Sequence, residues 1–548
     1  MRTHPWIGRR PAIMTPTMPV VRALPWLLLM ACDNGKDTGD AGYGGSFADQ
    51  AEADTDTDSD TDTDADADSD PGWDTGDYDD GFDAEEEGLL EALRPAATAD
   101  FLFIANPDRD SLTRIRPADM SVITTPVGHD PSVVRVTPDG RTALVLNMGS
   151  ESVSLVDAES LVVTELAIRP RLNRLELSPD GRWGICWFSE AAHDEAEDDG
   201  ATASYNEISL IDVENKLHVP MVVGFNPRDV AFAADGSKAV VVSDVWLATL
   251  DLTATTPSPI RLQLVYDTVD APKAEEILIT PDGGQAFVRQ FATTYLSVVD
   301  LNAQTLSRID VGDNATDLDL SPDGAQAAVV ARGSHELWLF DAADPSATPE
   351  IIALPPDETF GSLRYTPDGT QGILYTTAAG LPGRYGTWVV GQPEITVRGL
   401  VKPVRDVMID PTGGTVLFVH DDEEETGVAS DSPFRGGWAL SIVETAQHFA
   451  NPVRLGSRPT GFAHGEDGSF GAFIMGGERF LEVVDYGTLL FDEVLLKSPA
   501  TNMGIMPGSH TVFVSQDHDL GRISLYDVDG KGLTTVTGFE LNAGIEID

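Results

Sequence analysis

The sequence has few cysteines and few basic residues, and each shortage excludes a class of function. The 548 residues include only two cysteines, Cys32 and Cys186, in such different contexts that we expect no disulfide between them. Iron–sulfur clusters, covalently attached c-type haem and cysteine-rich zinc sites are therefore excluded. Lys and Arg total 35 against 90 Asp and Glu, which gives a formal net charge of −55. This charge repels phosphates, so we do not expect nucleic acid as a partner.

Familiar catalytic motifs are missing as well. The chain has no HExxH, no GxSxG elbow, no Walker loop and no GxGxxG opening a helix, and its histidines are scattered without a metal-ligand spacing. No segment shows helical periodicity as strong as the strand-like alternation described below, so the sequence predicts an all-β fold.

The first residues have the pattern of an export signal. Basic residues precede a short apolar run, Ala23–Ala31, which is too short to span a bilayer but fits the core of a secretory signal. The stretch that ends this run, Leu29-Met30-Ala31-Cys32, resembles the lipobox of bacterial lipoproteins. The resemblance implies a signal peptide over residues 1–32 and acylation of Cys32, which anchors the exported chain to the cell envelope, on the periplasmic or outer surface. An ordinary signal peptide with a chance cysteine is the alternative.

Residues 33–98 form an acidic, low-complexity segment. Asp alternates with Thr, Ser or Ala from Asp54 to Asp70. Such a run has little apolar surface to bury and repels itself, so we predict a disordered tether. Oxygen-rich repeats also suit Ca²⁺, which makes Asp54, Asp56, Asp58 and Asp60 weak metal candidates, although the segment lacks the Gly and the distal Glu of an EF-hand loop. A solvated spacer is the favoured interpretation, and no other cofactor is predicted.

From residue 99 onward a turn signature recurs along the chain. It reads Thr-Pro-Asp-Gly at 137–140, 280–283 and 366–369 and Ser-Pro-Asp-Gly at 178–181 and 321–324, with shorter or weaker copies at 234–236, 410–413, 466–468 and 507–508. An alternating strand precedes each turn, an apolar strand follows, and a third strand ends on Asp, as in Ser152–Asp157. Pro sets the backbone for the turn and Gly accepts a positive φ. Four strands in a period of about 45 residues are typical of a β-propeller blade.

This repeat closely resembles the YVTN-type, or surface-layer-type, propeller repeats of bacteria and archaea, over residues 99–548. We count nine units and a tenth composite blade, in which the C-terminal stretch 538–548 supplies the first strand and residues 101–127 supply the rest. Sharing one blade between the two chain ends closes the ring and hides exposed strand edges. The prediction is one large propeller of seven to ten blades, with ten as the best count.

Candidate site residues follow from the expected blade geometry. First strands line the central channel, and the loops before them lie on the same face as the loops between second and third strands. Two acidic insertions, 189–205 and 421–438, fall on that face. Inward-facing arginines can hold an anionic ligand, or they can pair with neighbouring acids such as Asp229 or Asp406. The candidate binding residues are Arg171, Arg174, Arg228, Glu275, Arg405, His129 and Asp130.

Three functions remain open at this stage. The favoured hypothesis is a non-enzymatic binding or scaffold module at the cell envelope, with a protein, peptide or glycan partner. A propeller enzyme is the first alternative, because lactonases resemble these repeats and quinoprotein dehydrogenases are also propellers. A structural role in a surface layer or adhesive coat is the second.

Overall fold

Ten antiparallel blades form a β-propeller in the computed structural model, which describes residues 96–189, 205–265, 274–290, 293–422, 428–541 and 545–547. Nine blades have four strands in sequence order, and blade 10 has a fifth. Within these residues there is no α-helix, and two short 3-10 helices span Pro107–Arg109 and Phe539–Leu541. The predicted fold class and the count of ten blades are confirmed.

The strands of each blade follow one another along the chain. Blades 1 to 5 consist of β1 (Ala96–Ala97), β2 (Leu102–Asn106), β3 (Ser111–Arg116), β4 (Ser121–Pro126); β5 (Pro131–Val136), β6 (Thr142–Asn147), β7 (Ser152–Asp157), β8 (Val163–Ala167); β9 (Arg174–Leu177), β10 (Trp183–Trp187), β11 (Glu207–Asp212), β12 (Leu217–Val222); β13 (Pro227–Phe232), β14 (Lys238–Ser243), β15 (Trp246–Asp251), β16 (Pro259–Gln263); β17 (Ala274–Ile279), β18 (Gln285–Gln290), β19 (Tyr295–Asp300) and β20 (Thr305–Asp310).

The second half of the ring continues the same order. Blades 6 to 10 consist of β21 (Ala315–Leu320), β22 (Gln326–Ala331), β23 (Glu336–Asp341), β24 (Glu350–Ala353); β25 (Ser362–Tyr365), β26 (Gln371–Tyr375), β27 (Arg384–Val389), β28 (Ile395–Gly399); β29 (Asp406–Ile409), β30 (Thr415–His420), β31 (Ala439–Glu444), β32 (Ala450–Arg454); β33 (Pro459–His464), β34 (Phe470–Met475), β35 (Phe480–Asp485), β36 (Leu490–Leu495); β37 (Ala500–Ile505), β38 (Thr511–Gln516), β39 (Arg522–Asp527), β40 (Gly532–Thr537) and β41 (Glu546–Ile547).

The core lies between neighbouring blades. In β6, Leu144 and Leu146 pack toward blade 3, while Ala143 and Val145 pack toward blade 1. A strand covered on both faces needs apolar residues at every position, which explains the nearly continuous apolar second strands. Fourth strands such as β8 are largely exposed, and contacts between blades concentrate on first strands. First strands therefore lie innermost, as a propeller requires.

Ring closure differs from the prediction of a composite blade. The first strand of blade 1 is β1, in which Ala97 pairs with Leu102, and the C-terminal β41 instead pairs with β40 at the outer edge of blade 10. The two end blades pack face to face through Leu102 and Phe513, and the Thr124 hydroxyl donates a hydrogen bond to the Phe539 carbonyl (3.2 Å). Apolar packing buries both end faces, so the ring closes without a shared sheet.

Candidate functional site

The propeller has two faces with different chemistry. The turns between first and second strands lie on one face, which we call the turn face. The loops between second and third strands, and those that lead into the next first strand, lie on the opposite loop face. Both insertions singled out in the sequence fall on the loop face, between β10 and β11 and between β30 and β31.

The repeated aspartates of the turn face have a structural role. The Thr137 hydroxyl and the Arg141 backbone N–H both donate to Asp139 Oδ1, at 2.7 and 3.1 Å. The Thr137 hydroxyl lowers the pKa of Asp139, so the carboxylate is charged at neutral pH. Other blades repeat the hydroxyl–carboxylate contact at Ser178–Asp180, Thr280–Asp282, Ser321–Asp323 and Thr366–Asp368. The aspartates of the repeated motif therefore stabilise the turns themselves.

First strands carry β-bulges near the loop face. The register shifts between Pro227 and Asp229 in β13 and between Ala274 and Glu276 in β17, and the first strands of blades 2, 6, 9 and 10 repeat the shift. A bulge bends the strand and redirects side chains. The extra residue is Arg228 in β13 and Glu275 in β17. Both positions were predicted to face the channel.

Carboxylates join neighbouring first strands, a feature that the sequence reasoning missed. Glu276 Oε2 accepts the Leu318 backbone N–H of the next blade (3.1 Å), and Asp317 Oδ2 accepts that of Leu363 (2.6 Å). Innermost strands have an unpaired edge, and a charged acceptor satisfies its N–H groups. Alternating acids immediately before a Pro-Asp-Gly turn, as in Asp317-Leu-Asp319, were the available signal.

Asp229 occupies the same register in blade 4 with a different outcome. Its Oδ1 accepts the N–H of Val230 (2.8 Å), while Oδ2 is buried and accepts no hydrogen bond within the described residues. Burial raises the pKa of Asp229 to about 7, and the carboxylates of Glu176 and Glu276 act in the same direction. This carboxyl therefore titrates near neutral pH.

Two of the four predicted arginines, Arg228 and Arg405, form ion pairs. Arg228 pairs with Asp244 rather than with Asp229, and Arg405 Nε lies 3.5 Å from Asp421. Both acids stand at the start of loops after second strands, because the loop face brings these loops together with the start of the first strands. For Arg228, the adjacent Asp229 was therefore the wrong partner.

The remaining candidates are spread around the ring. Arg174 is buried in β9, where desolvation lowers its pKa, and Arg171 has a positive φ of 57° in the preceding loop. His129 Nδ1 lies 2.8 Å from Asp110, which also accepts the backbone N–H of Asp130 (3.0 Å). Glu275 lies in β17, but its side chain is outside the described set. The structure does not bring the predicted residues to one point.

The insertion of blade 8, residues 421–438, is tied to the ring by a buried lysine. Lys402 precedes β29, its side chain has no exposed surface, and its ammonium donates to the carbonyls of Asp421 and Gly437 (3.2 Å to Gly437). Within the insertion Arg435 Nη1 donates to the Val428 carbonyl at 3.0 Å. From outside, Arg454 Nη1 donates to Pro433 at 2.7 Å. The described part of this loop is held by cation–carbonyl contacts, which the sequence reasoning missed.

An aromatic stack stands beside the other insertion. Buried Phe188 meets Tyr205 edge-on, with 5.1 Å between ring centroids, and Tyr205 stacks on Phe225 at 5.8 Å. Phe225 is 54% exposed on the loop face. Most of this insertion, residues 190–204, lies outside the described residues. The stack therefore marks the base of the loop.

Several sequence predictions concern residues that the structure does not describe. Cys32 and the Asp54–Asp60 calcium candidates lie before residue 96. In the described ranges, no three His, Cys, Asp or Glu side chains are grouped so as to hold a metal ion, and no helix is long and apolar enough to cross a membrane. Cys186 is free and buried, and burial raises its thiol pKa far above the usual range.

Comparisons with known proteins give structural likenesses only. No family model matches this chain, and no curated protein matches it. Similar solved structures include a Kuenenia stuttgartiensis hydrazine synthase, with 18% identity and a TM-score of 0.31, covering 57% of this chain and 97% of that one. A eukaryotic initiation factor has 12% identity and a TM-score of 0.48, covering 72% of this chain and 96% of that one. The dihydro-heme d1 dehydrogenase NirN in complex with DHE has 12% identity and a TM-score of 0.40, covering 84% of this chain and 79% of that one. The fold assignment rests on the strand pairing, and no activity is transferred from these proteins.

Proposed function

We propose that this protein is an exported lipoprotein whose propeller binds a protein or peptide partner at the cell envelope through its loop face. The lipobox-like stretch ending at Cys32 and the acidic segment after it support a tethered chain. The binding role is proposed to be non-catalytic and to need no bound cofactor.

The observation that carries the binding role is the bracing of the blade 8 insertion. Moving an ammonium group out of water costs several kcal/mol unless polar groups surround it. Lys402 is buried although its contacts are to the two ends of a surface loop, and the described loop residues receive further contacts from Arg435 and Arg454. Loops held on a rigid scaffold are the usual place for binding residues. A loop held in place in this way is better suited to binding a partner than to serving only as the connection between β30 and β31.

A photo-crosslinking experiment tests which face binds. The full-length protein is expressed in its native host with a photoreactive amino acid at Ser430, which is exposed in the blade 8 insertion. The matched control places the same group at exposed Ser346 on the turn face. We expect protein adducts from Ser430 and none from Ser346.

Three results would count against this function. Equal adducts from both faces, or none from either, would remove the loop face as the binding surface. Adducts that carry sugar and no peptide would replace the protein partner with a glycan. Turnover of a lactone, or of an alcohol with a quinone acceptor, by the purified chain would replace binding with catalysis.

A further inference from the structure

The loop position that Lys402 occupies is exposed in some blades and buried in others, such as blade 7, where it is Glu358. The residue stands ten positions before Thr412, the third residue of the blade 8 turn. The matching position in blade 2 is His129, whose side chain is 74% exposed, and in blade 6 it is the exposed Asp313. Both blades have short loops between second and third strands. A buried residue at this position is therefore not a requirement of the blade.

The ammonium of Lys402 closes the neck of the insertion. Asp421 directly follows β30 and Gly437 stands two residues before β31, so the two carbonyl acceptors are the two ends of the loop. The Asp421 carboxylate lies 3.9 Å from the same ammonium and 3.5 Å from Arg405 Nε. Three donors on one nitrogen suit several acceptors converging from different directions.

Neighbouring groups fix Lys402 from both sides. Gly383, at the end of the blade 7 loop, lies so close that a Cβ there would be 2.1 Å from the Lys402 carbonyl oxygen. On the blade 8 side, His420 Nδ1 contacts the Pro403 carbonyl at 2.6 Å and Nε2 contacts Ser441 Oγ at 2.8 Å. The buried imidazole is neutral at physiological pH, because burial lowers its pKa to about 4. It therefore adds no second positive charge beside the ammonium.

We propose that Lys402 is the positioning residue of the blade 8 insertion, holding its described parts, residues 421–422 and 428–438, in one place on the loop face through its contacts with Asp421 and Gly437. Without the ammonium, the two ends of the loop lose their common donor while the ten blades keep their packing. Any effect of losing this ammonium on partner binding rests on the function proposed above. The positioning of the loop by Lys402 does not depend on that function.

Hydrogen exchange on the full-length protein tests this role. In Lys402→Met the aliphatic stem stays and the donors are lost, so we expect peptides covering 428–438 to exchange at least tenfold faster. Peptides from β14 and β15, on a distant blade, should exchange as in the parent. Lys402→Arg restores a cation with several donors and should return most of the protection. Trypsin should cut after Arg435 faster in the Met variant only.

Further variants keep the test decisive. Asp421→Asn leaves both carbonyl acceptors in place and should speed exchange over 428–438 less than Lys402→Met does. Its exchange can still be measured if the Met variant fails to fold. Gly383→Ala pushes on the Lys402 backbone and should raise exchange over 428–438 as well. Unchanged exchange there in Lys402→Met, or equally faster exchange in every blade, would overturn the positioning role. Faster exchange without loss of Ser430 crosslinks would preserve it and count against the proposed function.

Discussion

Replacing Asp229 with Asn should stabilise the propeller, and the gain should depend on pH. The pKa of Asp229 is raised from the ordinary 3.8 to about 7, so the folded protein holds this proton more tightly than the unfolded chain does. Stability is therefore fully present below about pH 4 and is lost as the pH rises toward 7. The shift corresponds to about 4 kcal/mol at 1.36 kcal/mol per pH unit. Because Asp229 is only partly buried, we expect Asn to recover about 2 kcal/mol at pH 8.

The measurement is urea unfolding followed by tryptophan fluorescence at pH 4.5 and pH 8. For a domain of this size the thermal equivalent is a shift of only about 2 °C, so the urea midpoint is the better readout. Asp317→Asn is the matched control, because Asp317 occupies the same register and accepts the Leu363 N–H at 2.6 Å. Loss of that charge-assisted bond should lower stability by about 1–2 kcal/mol. A gain from Asp229→Asn of equal size at both pH values, or no gain at pH 8, would refute the reasoning.

Three further predictions use other parts of the chain. Burial and Glu493 on the adjacent strand raise the pKa of Glu482 to about 7. Glu482→Gln should therefore raise the free energy of unfolding, measured with urea, by about 1–2 kcal/mol at pH 8.5 and leave it unchanged at pH 4. Gly324 has φ of 68° and would place a Cβ 2.1 Å from Pro281, whereas Gly508, with φ of 70°, has nothing within 4 Å. Alanine should cost about 1 kcal/mol at Gly508 and clearly more at Gly324, and equal costs would contradict a blade-to-blade contact there. Cys32→Ser should abolish incorporation of labelled palmitate and release the protein from membranes, and persistent labelling would exclude Cys32 as the acylated residue.

The blade pattern was accessible from sequence because it depends on local chemistry. Thr137-Pro-Asp139-Gly140 sets a turn through its own hydrogen bonds, and alternating or continuous apolar residues identify strands covered on one or both faces. Each of the nine complete repeat units predicted from the turns contains four consecutive strands, and the last has a fifth. The composite blade was wrong because β1 already pairs with β2 at the position where the C-terminal strand was expected.

The side-chain partners were decided by tertiary structure alone. Arg228 finds Asp244 and Arg405 finds Asp421, because the loop face brings together segments that lie 16 residues apart in each case. Lys402 reads in the sequence as one more surface lysine, and only the folded loop shows that its ammonium is enclosed.

The sequence by itself determined the repeated four-stranded blade, since nine of the blades repeat similar short-range turn and strand signals. The strand pairing of the two end blades was decided by the tertiary structure. Three features depend on distances between segments that are far apart in sequence. They are which carboxylates accept backbone N–H groups of the next blade, which described carboxylate keeps an oxygen without a hydrogen bond, and which lysine holds a loop. Those distances are fixed by the packing of whole blades and leave no periodic mark in the chain.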